Sequence, residues 1–210
     1  RGSMWLSAGR LRGAWSSMRT ATHLSRPKVM GILNVTPDSF FPGSRARTLD
    51  AALRQGLALL EAGADILDIG GESNRPGAEA VSLQEEIQRV VPVIRALRRE
   101  TSAPISVDTA KAEVASLAVD AGAGLINDVW SFQADPKMAE VAASTKAGVI
   151  LMHGRGTPKT MGGLARYDSV VGEVLEELGR LFQGALDAGI EAERIVLDPG
   201  IGFAKVGWMN

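Results

Sequence analysis

One pattern, repeated six times, limits what this chain can fold into. A short apolar run stops at a carboxylate, an amide or a histidine, and a longer stretch with helical spacing follows. The first instance is Val29 to Phe40, V-M-G-I-L-N-V-T-P-D-S-F. Val29, Met30, Ile32 and Leu33 end in Asn34, and Thr36, Pro37, Asp38 and Ser39 turn the backbone. A run that short, bounded by Pro and Asp, suits a buried strand better than a helix.

The pattern then recurs in order. Thr48 is placed to cap a helix carrying Leu49, Leu53, Leu57 and Leu60, which Gly63 stops. Asp65 to Ile69 reads as the second strand, ending in Gly70-Gly71-Glu72. Ser82 and Glu85 form a capping-box pair ahead of Leu83, Ile87, Val90, Val91, Ile94 and Leu97, with Pro92 expected to kink that helix. Pro104 to Asp108 is the third strand, with a helix over Val114 to Ala121 that Gly122 and Gly124 end. Leu125 to Val129 is the fourth, with a helix from Pro136 to Lys146. Gly148 to His153 is the fifth, followed by a loop and a long helix capped by Asp168; Ile195 to Asp198 is the sixth.

Strands alternating with helices predict right-handed βαβ units and a parallel sheet. Strands buried on both faces explain the near-continuous apolar runs. An open doubly wound sheet satisfies the same periodicity, so the position of the polar residues decides. Asn34, Glu72, Asp108, Asn127, His153 and Asp198 all lie at or just past a strand's C-terminal end. A barrel gathers all such ends at one mouth, whereas an open sheet gathers only those beside its switch point. The expectation is an α/β barrel.

Composition removes several classes. The 210 residues are 45% hydrophobic and 22% charged, enough for a sizeable core, and the formal charge of −1 offers no general case for nucleic acid or an anionic membrane. There is no Cys, hence no disulfide, thiolate metal site or cysteine nucleophile. No apolar stretch approaches the roughly 20 residues of a membrane span. G-x-S-x-G, P-loop and H-E-x-x-H motifs are missing. Residues 1–28 stand apart: Arg1, Arg10, Arg12, Arg19, Arg26 and Lys28, and no acid before Asp38. That composition belongs to a transit peptide or to a tag or upstream extension. Residues 1–27 are therefore set aside as a basic extension expected to be disordered, and 28–210 as the folded domain.

Asp108, Asn127 and Asp198 end strands three, four and six. Each alone is explained as well by capping of the next helix. Together at one mouth, two carboxylates and an amide make an acceptor-rich wall suited to a flat heterocycle with N–H and NH₂ donors on one edge. Asn34 offers a neutral oxygen, either to an Asx turn or to Mg²⁺ shared with substrate phosphates. Gly70-Gly71 and Gly200-Ile201-Gly202 either admit a ligand close to the backbone or shape tight turns. Arg75, between Asn74 and Pro76, is a solvated loop residue or an anion contact. His153 has only His23 as a second histidine and is no metal site.

These stretches resemble dihydropteroate synthase: N-V-T-P-D-S-F (34–40), D-I-G-G-E-S-N-R-P-G (68–77), S-V-D-T (106–109), I-N-D (126–128), L-M-H (151–153), P-K-T-M (158–161) and L-D-P-G-I-G-F (197–203). They stand in that family's order across roughly residues 28–205. The resemblance implies a (β/α)8 TIM-type barrel condensing 6-hydroxymethyl-7,8-dihydropterin diphosphate with p-aminobenzoate, giving 7,8-dihydropteroate and diphosphate in folate biosynthesis. Under it, Asp108, Asn127 and Asp198 contact the pterin ring and Met152 walls its pocket. Asn34 faces diphosphate and Mg²⁺, and Asp108 stabilises a cationic pterin methylene. The loops around Pro37–Gly43 and Ser73–Gly77 close over p-aminobenzoate or a sulfonamide, with Phe40 and Pro76 lining that pocket, Arg75 assisting and Asn74 a further substrate-binding candidate. The resemblance also implies a homodimer and a cytoplasmic location, or an organellar one if residues 1–28 are a transit peptide.

Two departures qualify it. Asn74 stands where the family has Thr. The chain stops at Asn210, ahead of the family's last two strands with their S-R-K and R-x-H segments, so about six βα units are expected. The alternative is a catalytically inactive truncated barrel retaining at most pterin binding. A methyltetrahydrofolate-binding methyltransferase domain is opposed by N-V-T-P-D-S-F and E-S-N-R-P-G.

Overall fold

The computed structural model of the protein describes residues 26–35, 45–73, 80–156, 160–205 and 207. The elements alternate as the sequence predicts: β1 (Met30–Asn34), α1 (Arg45–Glu61), β2 (Ile66–Gly70), α2 (Leu83–Glu100), β3 (Ile105–Asp108), α3 (Ala112–Ala121), β4 (Leu125–Asp128), α4 (Lys137–Ser144), β5 (Gly148–Met152), α5 (Val170–Asp187) and β6 (Ile195–Asp198). Short 3₁₀ turns at Met161–Leu164 and Ala192–Arg194 lie in the connections around α5.

The six strands are parallel and adjacent in chain order, β1-β2-β3-β4-β5-β6. That order separates a barrel from an open sheet. A doubly wound sheet reverses direction at its switch point, whereas right-handed crossovers that always step the same way put every helix on one face. The sheet must then curl around its other face, as a TIM barrel does. Among the described residues β1 and β6 are the two edges.

The register shows which residues lie on which face. Leu33, Ile69, Val107, Ile126, Val149 and Ile195 are partners along one row, each at most 1% exposed. They face the helices and form one core with Val90, Val93, Ile94 and Leu97 of α2 and Val114, Ala115 and Ala118 of α3. Side chains alternate along a strand. The residues between them, Ile32, Asn34, Asp68, Gly70, Ser106, Asp108, Asn127, Ile150, Met152, Val196 and Asp198, therefore face the inner side.

Local signals mostly hold. Ser82 Oγ accepts the Glu85 N–H at 3.3 Å, while the Glu85 carboxylate pairs with Arg89 rather than returning to Ser82. Gly122 caps α3 at φ 117°, a backbone only glycine adopts freely. Two caps move. α1 begins at Arg45, so Thr48 lies inside it, because Arg45-Ala46-Arg47 are themselves good helix formers. α5 is capped by Ser169, whose Oγ accepts the Gly172 N–H at 3.3 Å; Asp168 N–H instead donates to Glu173 at 2.7 Å. α2 runs unbroken through the exposed Pro92.

Arg26, from the stretch set apart as an extension, donates two hydrogen bonds to Asp65, at 2.8 and 2.7 Å. The Val29 N–H at 2.9 Å and Arg26 together hold the Asp65 carboxyl down at about 2. Residues 1–25 lie outside the described residues. No helix among the described residues is long and apolar enough to cross a membrane.

Candidate active site at the C-terminal ends of the strands

Asn34, Gly70, Asp108 and Asn127 are register partners on four consecutive strands, all on the inner face. Gly70 is the reason the first and third of these come close. A Cβ there would stand 3.4 Å from Asp108 Oδ2 and 3.7 Å from Asn34 Oδ1, so the two oxygens converge over a position with no side chain. Asp108 and Asn127 are half-buried, and Asn34 is exposed on the edge strand. On the far side, Met152 of β5 pairs with Asp198 of β6. Met152 is 4% exposed and presents the apolar surface of this wall. Asp198 Oδ1 accepts the Gly200 N–H at 2.8 Å, so the turn after β6 orients the carboxylate.

One inner carboxylate escaped the sequence reading. Asp68 is 4% exposed, and its Oδ2 accepts a 2.9 Å hydrogen bond from Asn127 Nδ2, two strands away. Burial pushes the Asp68 carboxyl up, and the neighbouring Ser106 and Asn127 pull it part of the way back. Barrel geometry accounts for the reach. Tilted strands fill the interior in tiers built from alternate strands. Moving two strands along the register and two residues up leads from Asp68 to Asn127, and the same step leads from Asn127 to Asp198. The signal was legible: a charge in mid-strand, two residues from Gly70 and so on its face.

Two of the six strand-end groups do not join the wall. Glu72 lies two residues past Gly70, beyond the end of β2. It accepts from the Lys111 ammonium, which also donates to Glu86 of α2, wholly buried. Thr109 Oγ1 donates to Glu86 at 2.6 Å, and Arg89 donates to Gly71 O at 2.7 Å. Burial alone would lower the Lys111 pKa, but the two carboxylates raise it above the usual lysine range. This cluster fastens the β2 and β3 ends to α2. Gly71 is part of the same packing, since a Cβ there would lie 2.7 Å from Val90 Cγ2.

His153, one residue past Met152 and so on the opposite face, turns toward α5. It is 1% exposed, and Lys205 Nζ sits 2.9 Å from its Nδ1 and 3.0 Å from both Gly200 O and Phe203 O. An ammonium can only donate, so Nδ1 accepts and the proton resides on Nε2, which donates to Glu177 at 2.8 Å. Arg155 also pairs with Glu177 and with Glu173, and lies 3.9 Å over the Tyr167 ring. Burial, then Lys205, lowers the His153 pKa; burial lowers that of Lys205 too. A cavity of about 710 Å³ opens beside this network, lined by Gln133, Arg155, Arg166 and Leu181 among others.

The Gly200 question is settled by distance. Its φ is 66°, and a Cβ would fall 2.0 Å from His153 O. This glycine lets the turn after Asp198 lie against the end of β5. Phe40, Asn74, Arg75 and Pro76, and the loops they belong to, lie outside the described residues.

As a metal site the inner wall is sparse: no group of three or more His, Asp or Glu among the described residues is arranged to hold an ion. Asn34, an exposed neutral oxygen close to Asp108 across Gly70, suits only a cation that keeps water and takes its other ligands from substrate, which is the habit of Mg²⁺.

A family model described as "Pterin binding enzyme" matches residues 30–209. The dihydropteroate synthase of Synechocystis is 48% identical over 185 residues, covering 88% of this chain and 64% of that protein. Among solved structures, Xanthomonas albilineans dihydropteroate synthase with 4-aminobenzoic acid superposes with a TM-score of 0.79 at 49% identity, over 87% of this chain and 64% of that one. The X. albilineans enzyme in complex with 7,8-dihydropteroate gives 0.76 at 45%, over 88% and 64%. The chain thus spans a little under two thirds of these relatives' length.

Proposed function

Because the chain belongs to the pterin-binding enzyme family, we propose that it is a dihydropteroate synthase chain. The reaction joins 6-hydroxymethyl-7,8-dihydropterin diphosphate to p-aminobenzoate and releases diphosphate, within folate biosynthesis. The observation that carries this reading is the gathering of Asn34, Asp108, Asn127 and Asp198 on one inner face, with Asn127 and Asp68 linked at 2.9 Å. Carboxylates and an amide oxygen in that arrangement suit a ring edge rich in N–H groups.

In this reading Asp108, Asn127 and Asp198 hold the pterin, and Met152 covers its apolar face. As the C–O bond to diphosphate breaks, positive charge develops on the pterin methylene, and the Asp108 carboxylate stabilises it through space. The neutral amine of p-aminobenzoate then attacks that carbon and loses a proton. Asn34 would hold Mg²⁺, whose charge stabilises departing diphosphate. Asn74, Arg75, Phe40 and Pro76 belong to the p-aminobenzoate side. A homodimer and a cytoplasmic location go with the same reading.

The reading to be separated from this one is pterin binding without turnover. A diphosphate-release assay with both substrates, beside thermal melts with and without the pterin diphosphate, separates the two. Turnover with a raised melting temperature is the expected result. A raised melting temperature without release leaves the binding reading alone. No shift and no release sinks both.

A further inference from the structure

Resting on that reading of the pocket, we propose that Asp68 is a specificity-determining positioning residue. By holding the amino group of Asn127, it turns the amide oxygen toward the cavity, so that Asn127 joins Asp108 and Asp198 in presenting acceptors and this side of the wall selects ring ligands by their donor edge.

The argument starts from the ambiguity of an amide. Oxygen and NH₂ are nearly the same size, and only the surrounding hydrogen bonds decide which way each points. A half-buried Asn at the head of a strand could present either to a ligand. Here Asn127 Nδ2 lies 2.9 Å from Asp68 Oδ2. A carboxylate only accepts, so the reverse orientation would set oxygen against oxygen in a place 4% exposed. Such a mismatch inside a protein costs more than the hydrogen bond is worth. The Asn127 amino group is thus turned toward Asp68, and the Asn127 oxygen joins the carboxylates of Asp108 and Asp198 as acceptors on the cavity side.

Asp68 is also better placed for this task than for holding the fold together. Its Oδ1 meets no donor at full hydrogen-bonding geometry among the described residues, and only the Ser106 hydroxyl lies beside it and lowers its pKa. A carboxylate kept for stability would be paired or fully bonded, because a buried charge left partly unsatisfied is unfavourable. The outer carboxylate Glu86, held by Lys111 and Thr109, shows the saturated alternative.

The test is a binding ratio on the 210-residue chain. Fluorescence titration with 6-hydroxymethylpterin and with 6-hydroxymethyllumazine, which replaces the 2-amino group by an oxygen, measures the preference for a donor edge. Wild type should favour the pterin by about tenfold or more. Asp68→Asn is isosteric but can donate as well as accept, which frees Asn127 to turn either way. Its preference should fall toward unity while its melting temperature at neutral pH holds or rises. If wild type binds neither ring, the pocket reading itself is wrong. If wild type prefers the pterin and Asp68→Asn keeps the same ratio, only the assignment to Asp68 is overturned; equal binding of both rings by wild type overturns it too. Should Asp68→Asn fail to melt cooperatively, hydrogen exchange of the Asn127 side-chain amide in wild type decides: protection supports the clamp, and exchange at the rate of a free asparagine refutes it.

Discussion

Two sets of polar residues stand at the same strand ends and behave oppositely. The inner set, Asn34, Asp68, Asp108, Asn127 and Asp198, is weighted toward acceptors and includes a buried carboxylate oxygen that no donor among the described residues meets at full hydrogen-bonding geometry. The outer set is largely matched: Lys111 with Glu72 and Glu86, and Lys205 with His153, with the carbonyls of Gly200 and Phe203 and with the charge of Asp198. The difference teaches where to look for a ligand. A cluster whose donors and acceptors match has finished its chemistry in the folded state, whereas a surplus of one kind is completed by something from outside.

That contrast can be broken most forcefully at Asp108. Asp108→Asn should leave the melting temperature within about 3 °C. The equivalent change in a dihydropteroate synthase relative should lower turnover by about 10²- to 10³-fold. Scanning calorimetry and steady-state rates measure the two halves, and normal turnover would end the role given to this carboxylate.

The outer set should answer the other way. Lys111→Met leaves Glu86 buried without its cation, and the midpoint of urea unfolding should fall by the equivalent of about 3 kcal/mol. Adding Glu86→Gln should restore much of that loss, because the two changes act on one interaction. An additive double mutant would show that the cluster is not the coupled unit described here.

Gly200 joins the two sets, since its N–H orients Asp198 and its missing side chain makes room for His153 O. Gly200→Ala should destabilise by about 2 kcal/mol through the positive φ and the clash, and it should weaken pterin binding as well. Stability loss with unchanged pterin affinity would separate the turn from the site.

The smallest expected effect is a pH dependence. The His153 pKa is lowered in the fold by burial and Lys205, against the pull of Glu177; Arg155 also lowers it, and Tyr167 packs nearby. The unfolded chain then binds its proton first as pH falls. Stability from this group is fully present above the unfolded value of about 6.5 and declines as pH drops from there toward the folded value. His153→Gln should flatten the urea midpoint between pH 7.5 and 5; an unchanged slope would assign the dependence to other groups.

Much of this was readable beforehand, for physical reasons. Short apolar runs ending in polar residues, alternating with stretches of period 3.6, located all six strands and the helices between them, because strands buried on both faces read as continuous runs and helices bury one stripe. Asn34, Asp108, Asn127 and Asp198 stand out as polar groups at strand ends and Met152 through the resemblance alone, and the structure places all five on one face. Caps were less secure. Thr48 and Asp168 were displaced by Arg45 and Ser169, since several neighbouring residues can begin a helix and local hydrogen bonds choose among them. Asp68 is harder to read because it lies in mid-strand, and only the tilt of the strands brings a mid-strand residue level with its neighbour's end.

What the amino-acid order determined alone was the alternation of elements, the chemistry available at the strand ends and the membership that its motifs announce. Only the tertiary structure decided which of those groups face inward, because parity along a strand has no meaning until the sheet curls and one side becomes the interior. It also decided that Asn127 donates to Asp68, since strand tilt rather than chain order brings β2 and β4 to the same height.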